Sequence, residues 1–127
     1  MLRMARVLLI DDHPQTREVI TQVLELHGHS VATAESAEVA WAEITQSIPD
    51  LVIADQRLPG MSGLALLKRI RGTPGLGALP VVLCSGDDSQ RHAALSAGAA
   101  DFWFKGSEGM FEAVARLGEK LGRNSRP

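Results

Sequence analysis

The chain has 127 residues, enough for one domain with a real core and too few for two comfortable ones. With 45% hydrophobic and 22% charged residues, it is neither a disordered nor a fibrous sequence. A net charge of −2, with lysine and arginine scattered along the chain, leaves no basic stripe for direct nucleic-acid binding.

The opening Met1-Leu2-Arg3-Met4-Ala5-Arg6 precedes the apolar run Val7 to Ile10, and Asp11 and Asp12 stop that run before it can act as a signal peptide. From Pro14 to His27 the apolar residues Val19, Ile20, Val23 and Leu24 recur at helical spacing, with Pro14 suited to the first turn and Gly28 to the stop. A second strand spans Val31 to Ala34. Ser36 can cap a second helix with Ala37, Ala40, Trp41 and Ile44 on one face, and Pro49 ends the connection after it.

Leu51 to Asp55 is a third strand, and Gly63 opens a third helix carried by Leu64, Leu67 and Ile70. Turn formers fill Gly72 to Gly77, a surface connection because strand material resumes at Pro80. Val81 to Ser85 is the fourth strand, followed by a short alanine-rich helix from about Ser89 to Ala97. Asp101 to Phe104 is the fifth. Phe102, Trp103 and Phe104 make this strand bulky; it is read as packing, with an exposed contact surface on one side as the alternative. The last helix runs from about Ser107 to Leu121 with Phe111, Val114, Leu117 and Leu121 on one side, and residues 122–127 read as a frayed tail or a cut linker.

Short apolar runs alternating with helical segments are the pattern of βα units around a parallel sheet. There is no internal repeat and no apolar stretch of membrane-spanning length. Right-handed crossovers limit the strand order without choosing it. The single Cys84 cannot form an internal disulfide, reads as a small buried residue, and suits a reducing cytoplasm.

In such a sheet the polar residues that end the strands gather at the carboxyl edge, where open α/β sheets place their sites. Asp11 and Asp12 end the first strand, Asp55 the third, Ser85 the fourth, and Lys105 follows the fifth. Three carboxylates with one lysine and one hydroxyl suit a divalent cation, Mg²⁺ or Mn²⁺, together with a phosphoryl group. The lysine would pair with the attacked carboxylate or a phosphoryl oxygen, and the hydroxyl would donate to another. His13 reads as a residue opening the first helix at the rim, in preference to a metal ligand, and His27, His29 and His92 as surface residues.

Leu9-Ile10-Asp11-Asp12-His13-Pro14, the run from Asp55 through Leu58-Pro59-Gly60-Met61 to Gly63, then Ser85-Gly86 and Lys105 resemble the receiver domain of bacterial response regulators. The resemblance spans about Arg6 to Leu121, within a single domain of residues 1–127. It implies a flavodoxin-like α/β fold, a doubly wound five-stranded parallel sheet of order 2-1-3-4-5 with five helices. It also implies phosphotransfer from a sensor histidine kinase or phosphotransfer protein to Asp55.

By the same resemblance Asp12 touches the cation directly, Asp11 acts through water, and Asp55 and the backbone carbonyl of Arg57 complete the protein ligands. Ser85 and Phe102 form the switch, and Gly63 lets the chain turn into the third helix. The family usually has proline after the lysine, joined by a cis bond. Gly106 stands there in this chain, and a trans bond is expected because cis before a non-proline residue costs about 2.5–4 kcal/mol. Arg57 and Asp87 are expected to approach each other across the mouth of the site.

The implied protein is a cytoplasmic regulator that at most catalyses its own phosphotransfer and dephosphorylation. Its α4-β5-α5 face would control an output protein or domain or form a homodimer. The alternative is a receiver-like interaction module that works without phosphorylation. A phosphatase would need a second acid two positions after Asp55, where Arg57 stands, and no glycine-rich phosphate loop follows the first strand.

Overall fold

The computed structural model describes residues 4–105 and 112–117. Five strands, β1 (Arg6–Ile10), β2 (Ser30–Ala34), β3 (Leu51–Asp55), β4 (Val81–Ser85) and β5 (Asp101–Phe104), form one parallel sheet of order β2-β1-β3-β4-β5. The helices are α1 (Pro14–Leu26), α2 (Ala37–Gln46), α3 (Gly63–Arg71), α4 (Arg91–Ser96) and a stretch at 112–117, α5. Ser107, Phe111 and Leu121, expected in the last helix, lie outside the described residues, as do Gly106 and the tail.

Successive residues of each strand feed opposite faces of the sheet. Leu8, Ile10, Val52, Ala54, Val81, Leu83 and Phe102 pack against α2, α3 and α4. Val7, Leu9, Leu51, Ile53, Val82, Cys84 and Trp103 pack against α1 and Val114 of α5. Helices cover both faces, which is why the strands are apolar without alternation.

Serine side chains cap α2 and α3. Ser36 Oγ accepts from Val39 N–H at 3.2 Å, and Ser62 Oγ accepts from Ala65 N–H at 3.1 Å. Gly28 ends the α1 connection at φ +87°, where a side chain would be strained.

Several expectations are corrected by packing. Val19 is 39% exposed, because the α1 stripe facing the sheet runs through Ile20 and Leu24. His29 is buried rather than on the surface, and its Nδ1 accepts the backbone N–H of Ala5 at 3.0 Å. The fourth helical segment begins as a 3-10 turn (Asp88–Gln90) before α4, since Asp87 Oδ1 accepts from Ser89 N–H at 3.0 Å and starts the turn early. The packing reading of β5, by contrast, holds for Phe102 and Trp103, which are both buried on opposite faces of the sheet. Trp41 is half-buried against the core and carries the Arg69 guanidinium 4.2 Å above its ring.

Gly63 has a steric role beyond turning the chain. A Cβ there would collide with the Asp55 carbonyl oxygen, so α3 starts pressed against the end of β3. Gly63→Ala is expected to cost about 1–3 kcal/mol of stability, read as a lower urea midpoint. An unchanged midpoint would mean that the loop yields without cost.

Candidate functional site

Because all strands run parallel, the carboxyl ends of β1, β3, β4 and β5 share one edge. The register pairs Ile10 with Ala54, Asp55 with Cys84 and Ser85 with Phe104, so Asp11, Asp55, Ser85 and Lys105 follow one another across it. The backbone continues this order past the strands: Asp11 N–H donates to the Ala34 carbonyl and Lys105 N–H to the Ser85 carbonyl.

Lys105 Nζ donates to Asp11 Oδ2 at 2.9 Å and to Asp55 Oδ2 at 3.0 Å. Both carboxylates are buried, and the lysine side chain is 17% exposed. Asp55 Oδ1 also accepts from the Arg57 backbone N–H at 3.3 Å. Asp12 stands nearer solvent, at 39% side-chain exposure.

Charge is unbalanced here. Burial raises the Asp55 carboxyl above the ordinary aspartate value; the Lys105 bond opposes this and the Asp11 charge adds to it. For Lys105 burial works against the ammonium, but the bonds and charges of Asp11 and Asp55 outweigh it, so its pKa lies above the ordinary lysine value. Burial pushes the Cys84 thiol up, in keeping with an inert packing residue.

His13 adds a contact that its place at the rim did not foretell. Its ring Nδ1 lies 3.1 Å from Asp12 Oδ1, 3.2 Å from Asp11 Oδ1 and 3.9 Å from Asp55 Oδ2. Its backbone N–H donates to Asp11 Oδ1 at 2.8 Å. One donor atom from each of Asp11, Asp12, His13 and Asp55 falls within 4.8 Å of all the others. Three carboxylates against one ammonium leave negative charge in excess, and oxygen donors are what a hard divalent cation takes, so these residues fit one. A cavity of about 370 Å³ opens at His13 and Asp55, lined also by Thr16, Arg57, Gly86 and Lys105.

Ser85 is buried, and its Oγ accepts from Asp87 N–H at 3.0 Å. Phe102 lies inward, with the Arg91 guanidinium 5.0 Å from its ring centroid and Arg91 Nη1 donating to its carbonyl at 3.3 Å. Arg57 and Asp87 border one cavity of about 350 Å³ with Ser85. They do not bond across it. The bonds from Ser89 hold the exposed Asp87 carboxyl below its ordinary value, and Arg57 adds only a weaker through-space contribution.

Three supports had no signature in the spacing. Arg17 Nη1 donates to the Asp11 carbonyl at 2.6 Å, and Gln56 Oε1 accepts from Leu64 N–H at 2.7 Å. Glu38 Oε2 accepts from Met61 N–H at 3.2 Å, tying α2 to the loop after Asp55. Each joins segments far apart in sequence or depends on side-chain direction, so only the polar residue type hinted at it.

Residues 7–114 match the family model for the response regulator receiver domain. The chain is 38% identical over 124 residues to the transcriptional regulatory protein KdpE of Mycobacterium tuberculosis, covering 96% of this chain and 53% of that protein. It is 33% identical over 119 residues to the phosphate regulon transcriptional regulatory protein PhoB of Pseudomonas aeruginosa, covering 92% and 52%. It thus spans about half the length of these two relatives, and 15% of a gliding motility regulatory protein of Myxococcus xanthus that is 33% identical. A putative response regulator from Chloroflexus aurantiacus superposes with a TM-score of 0.85 at 31% identity, covering 95% of this chain and 99% of that one. Sheet order, strand-end chemistry and these similarities agree: the chain belongs to the response regulator receiver domain family, the signalling modules of two-component systems.

Proposed function

We propose that the chain is a single receiver domain that accepts a phosphoryl group on Asp55 and thereby switches a partner or output domain. The observation that carries this reading is the Lys105 ammonium bridging the buried carboxylates of Asp11 and Asp55, with Asp12 beside them. The donor is the phosphohistidine of a sensor histidine kinase or phosphotransfer protein. An Asp55 carboxylate oxygen attacks phosphorus, the N–P bond breaks with its electron pair going to nitrogen, and the histidine, already protonated on its other ring nitrogen, leaves as a neutral imidazole.

Lys105 neutralises a phosphoryl oxygen once Asp55 is an acyl phosphate, and the Ser85 hydroxyl donates to another. Asp11, Asp12, Asp55 and the Arg57 backbone carbonyl would hold Mg²⁺ or Mn²⁺. That ion supplies charge neutralisation between two anionic reactants. Ser85 moving toward the phosphoryl group, with Phe102 following, biases a two-state α4-β5-α5 face that meets an output partner or a second copy. Relatives about twice as long as this chain favour an output domain in the same polypeptide as the target. No helix among the described residues is long and apolar enough to cross a membrane. The match to the receiver family supports a cytoplasmic location.

Intact mass after incubation with acetyl phosphate tests the assignment. One added phosphoryl group is expected, requiring Mg²⁺ and absent from Asp55→Ala. No adduct in any condition would favour a module that binds partners without phosphorylation.

A further inference from the structure

We propose that His13 is a direct ligand of the cation at this site through Nδ1, and that it tilts the site's preference from Mg²⁺ toward first-row transition cations. The inference rests on the phosphoacceptor reading only in that Asp11, Asp12 and Asp55 hold a divalent ion.

The geometry is that of a ligand set. Two oxygens bound to one Mg²⁺ at about 2.0–2.1 Å in octahedral positions stand roughly 2.9 Å apart, and slightly longer bonds widen that edge. Nδ1 lies 3.1 Å from Asp12 Oδ1 and 3.2 Å from Asp11 Oδ1, close to such edges, while Asp55 Oδ2 at 3.9 Å is still within a shared shell. His13 also occupies the N-cap position of α1 yet caps nothing with its side chain. An N-cap residue ordinarily aims its side chain back at the first turn; this ring is aimed at the carboxylates.

Its base is anchored as well. The backbone N–H is bonded to Asp11 Oδ1, the carbonyl accepts from Arg17 N–H at 3.1 Å, and Pro14 fixes the residue that follows. The ring thus sits on the same carboxylate that its own backbone grips. To hold an ion through Nδ1 the neutral ring would carry its proton on Nε2, leaving the Nδ1 lone pair facing the carboxylates.

Carboxylate and water oxygens suit Mg²⁺, whereas an imidazole nitrogen adds affinity for Co²⁺, Ni²⁺ or Zn²⁺. Mg²⁺ gives up water reluctantly, so it gains little from a nitrogen that would displace one. One imidazole therefore separates two classes of cation at a site otherwise built of oxygens.

Calorimetric titration of the full chain with MgCl₂ and with CoCl₂ tests this on the wild type, His13→Asn and Asp12→Ala. Asparagine retains a good N-cap, so helix α1 is kept. The expected result is Co²⁺ binding weakened about tenfold in His13→Asn with Mg²⁺ binding changed less than about twofold. The visible absorption of bound Co²⁺ should also shift as the nitrogen is lost. Equal changes for both ions, or tighter Co²⁺ binding in His13→Asn, would overturn the inference, the latter making the ring a competitor of the ion. If Asp12→Ala also binds both ions like the wild type, the acidic cluster is not the cation site and the phosphoacceptor reading falls with the inference.

Discussion

Lys105→Met is expected to lower the unfolding free energy at pH 7 by about 3–4 kcal/mol, measured by urea denaturation. Methionine keeps an unbranched stem and removes only the ammonium. An exposed ion pair would contribute no more than about 1 kcal/mol. Here, however, the Asp11 and Asp55 side chains are 3% and 4% exposed, so two buried carboxylates lose the ammonium bonded to both of them. The pH dependence has a definite sign. Because the folded state raises the Lys105 pKa, its contribution is complete below the ordinary lysine value and is lost only as pH rises through the folded value. At pH 7 it is wholly present, so the deficit of Lys105→Met is full there. It should shrink as acid protonates Asp55, whose folded pKa is raised by burial. Equal urea midpoints for variant and wild type at pH 7 would show that water, not Lys105, compensates these charges.

The strands were legible because a parallel sheet covered on both faces demands continuous apolar runs, and the Val7 to Ile10, Leu51 to Ala54 and Val81 to Cys84 runs stop abruptly at polar residues. That same continuity hid which residues face which layer. Nothing in the run Val7-Leu8-Leu9-Ile10 says that Leu8 and Ile10 meet α2 and α3 while Val7 and Leu9 meet α1. The strand order likewise came through family resemblance, since local pattern does not encode pairing.

At the site, strand-end position was enough to single out Asp11, Asp12, Asp55, Ser85 and Lys105, because a parallel sheet gathers such ends on one edge. Side-chain direction was not. That Lys105 bridges the two buried aspartates, that the His13 ring turns onto them, and that Arg57 and Asp87 fail to pair all depend on rotamers and loop paths. His29 escaped for a related reason. A histidine between a glycine and a strand reads as surface until the neighbouring chain brings Ala5 N–H to its ring.

Asp55→Asn reverses the sign of the Lys105 result, raising stability at pH 7 by about 1–2 kcal/mol, or several degrees in Tm, while abolishing the phosphoryl adduct. Burial raises the Asp55 pKa in the folded chain, so this group favours folding most below its unfolded value of 3.8 and loses that advantage as pH rises through the folded value. At pH 7 its ionised form is therefore a net cost, carried beside the like charge of Asp11. Asparagine removes the charge, can still accept the Arg57 N–H through its amide oxygen, and leaves Lys105 with Asp11. The gain should fade as pH drops toward 3.8, where wild-type Asp55 takes up its own proton. A thermal midpoint at pH 7 lower than that of the wild type would mean that the Lys105–Asp55 bond outweighs the burial of the charge. A stability gain would instead mark Asp55 as a residue kept in an unfavourable charge state, as a nucleophile toward phosphorus must be: ionised, desolvated and only partly neutralised.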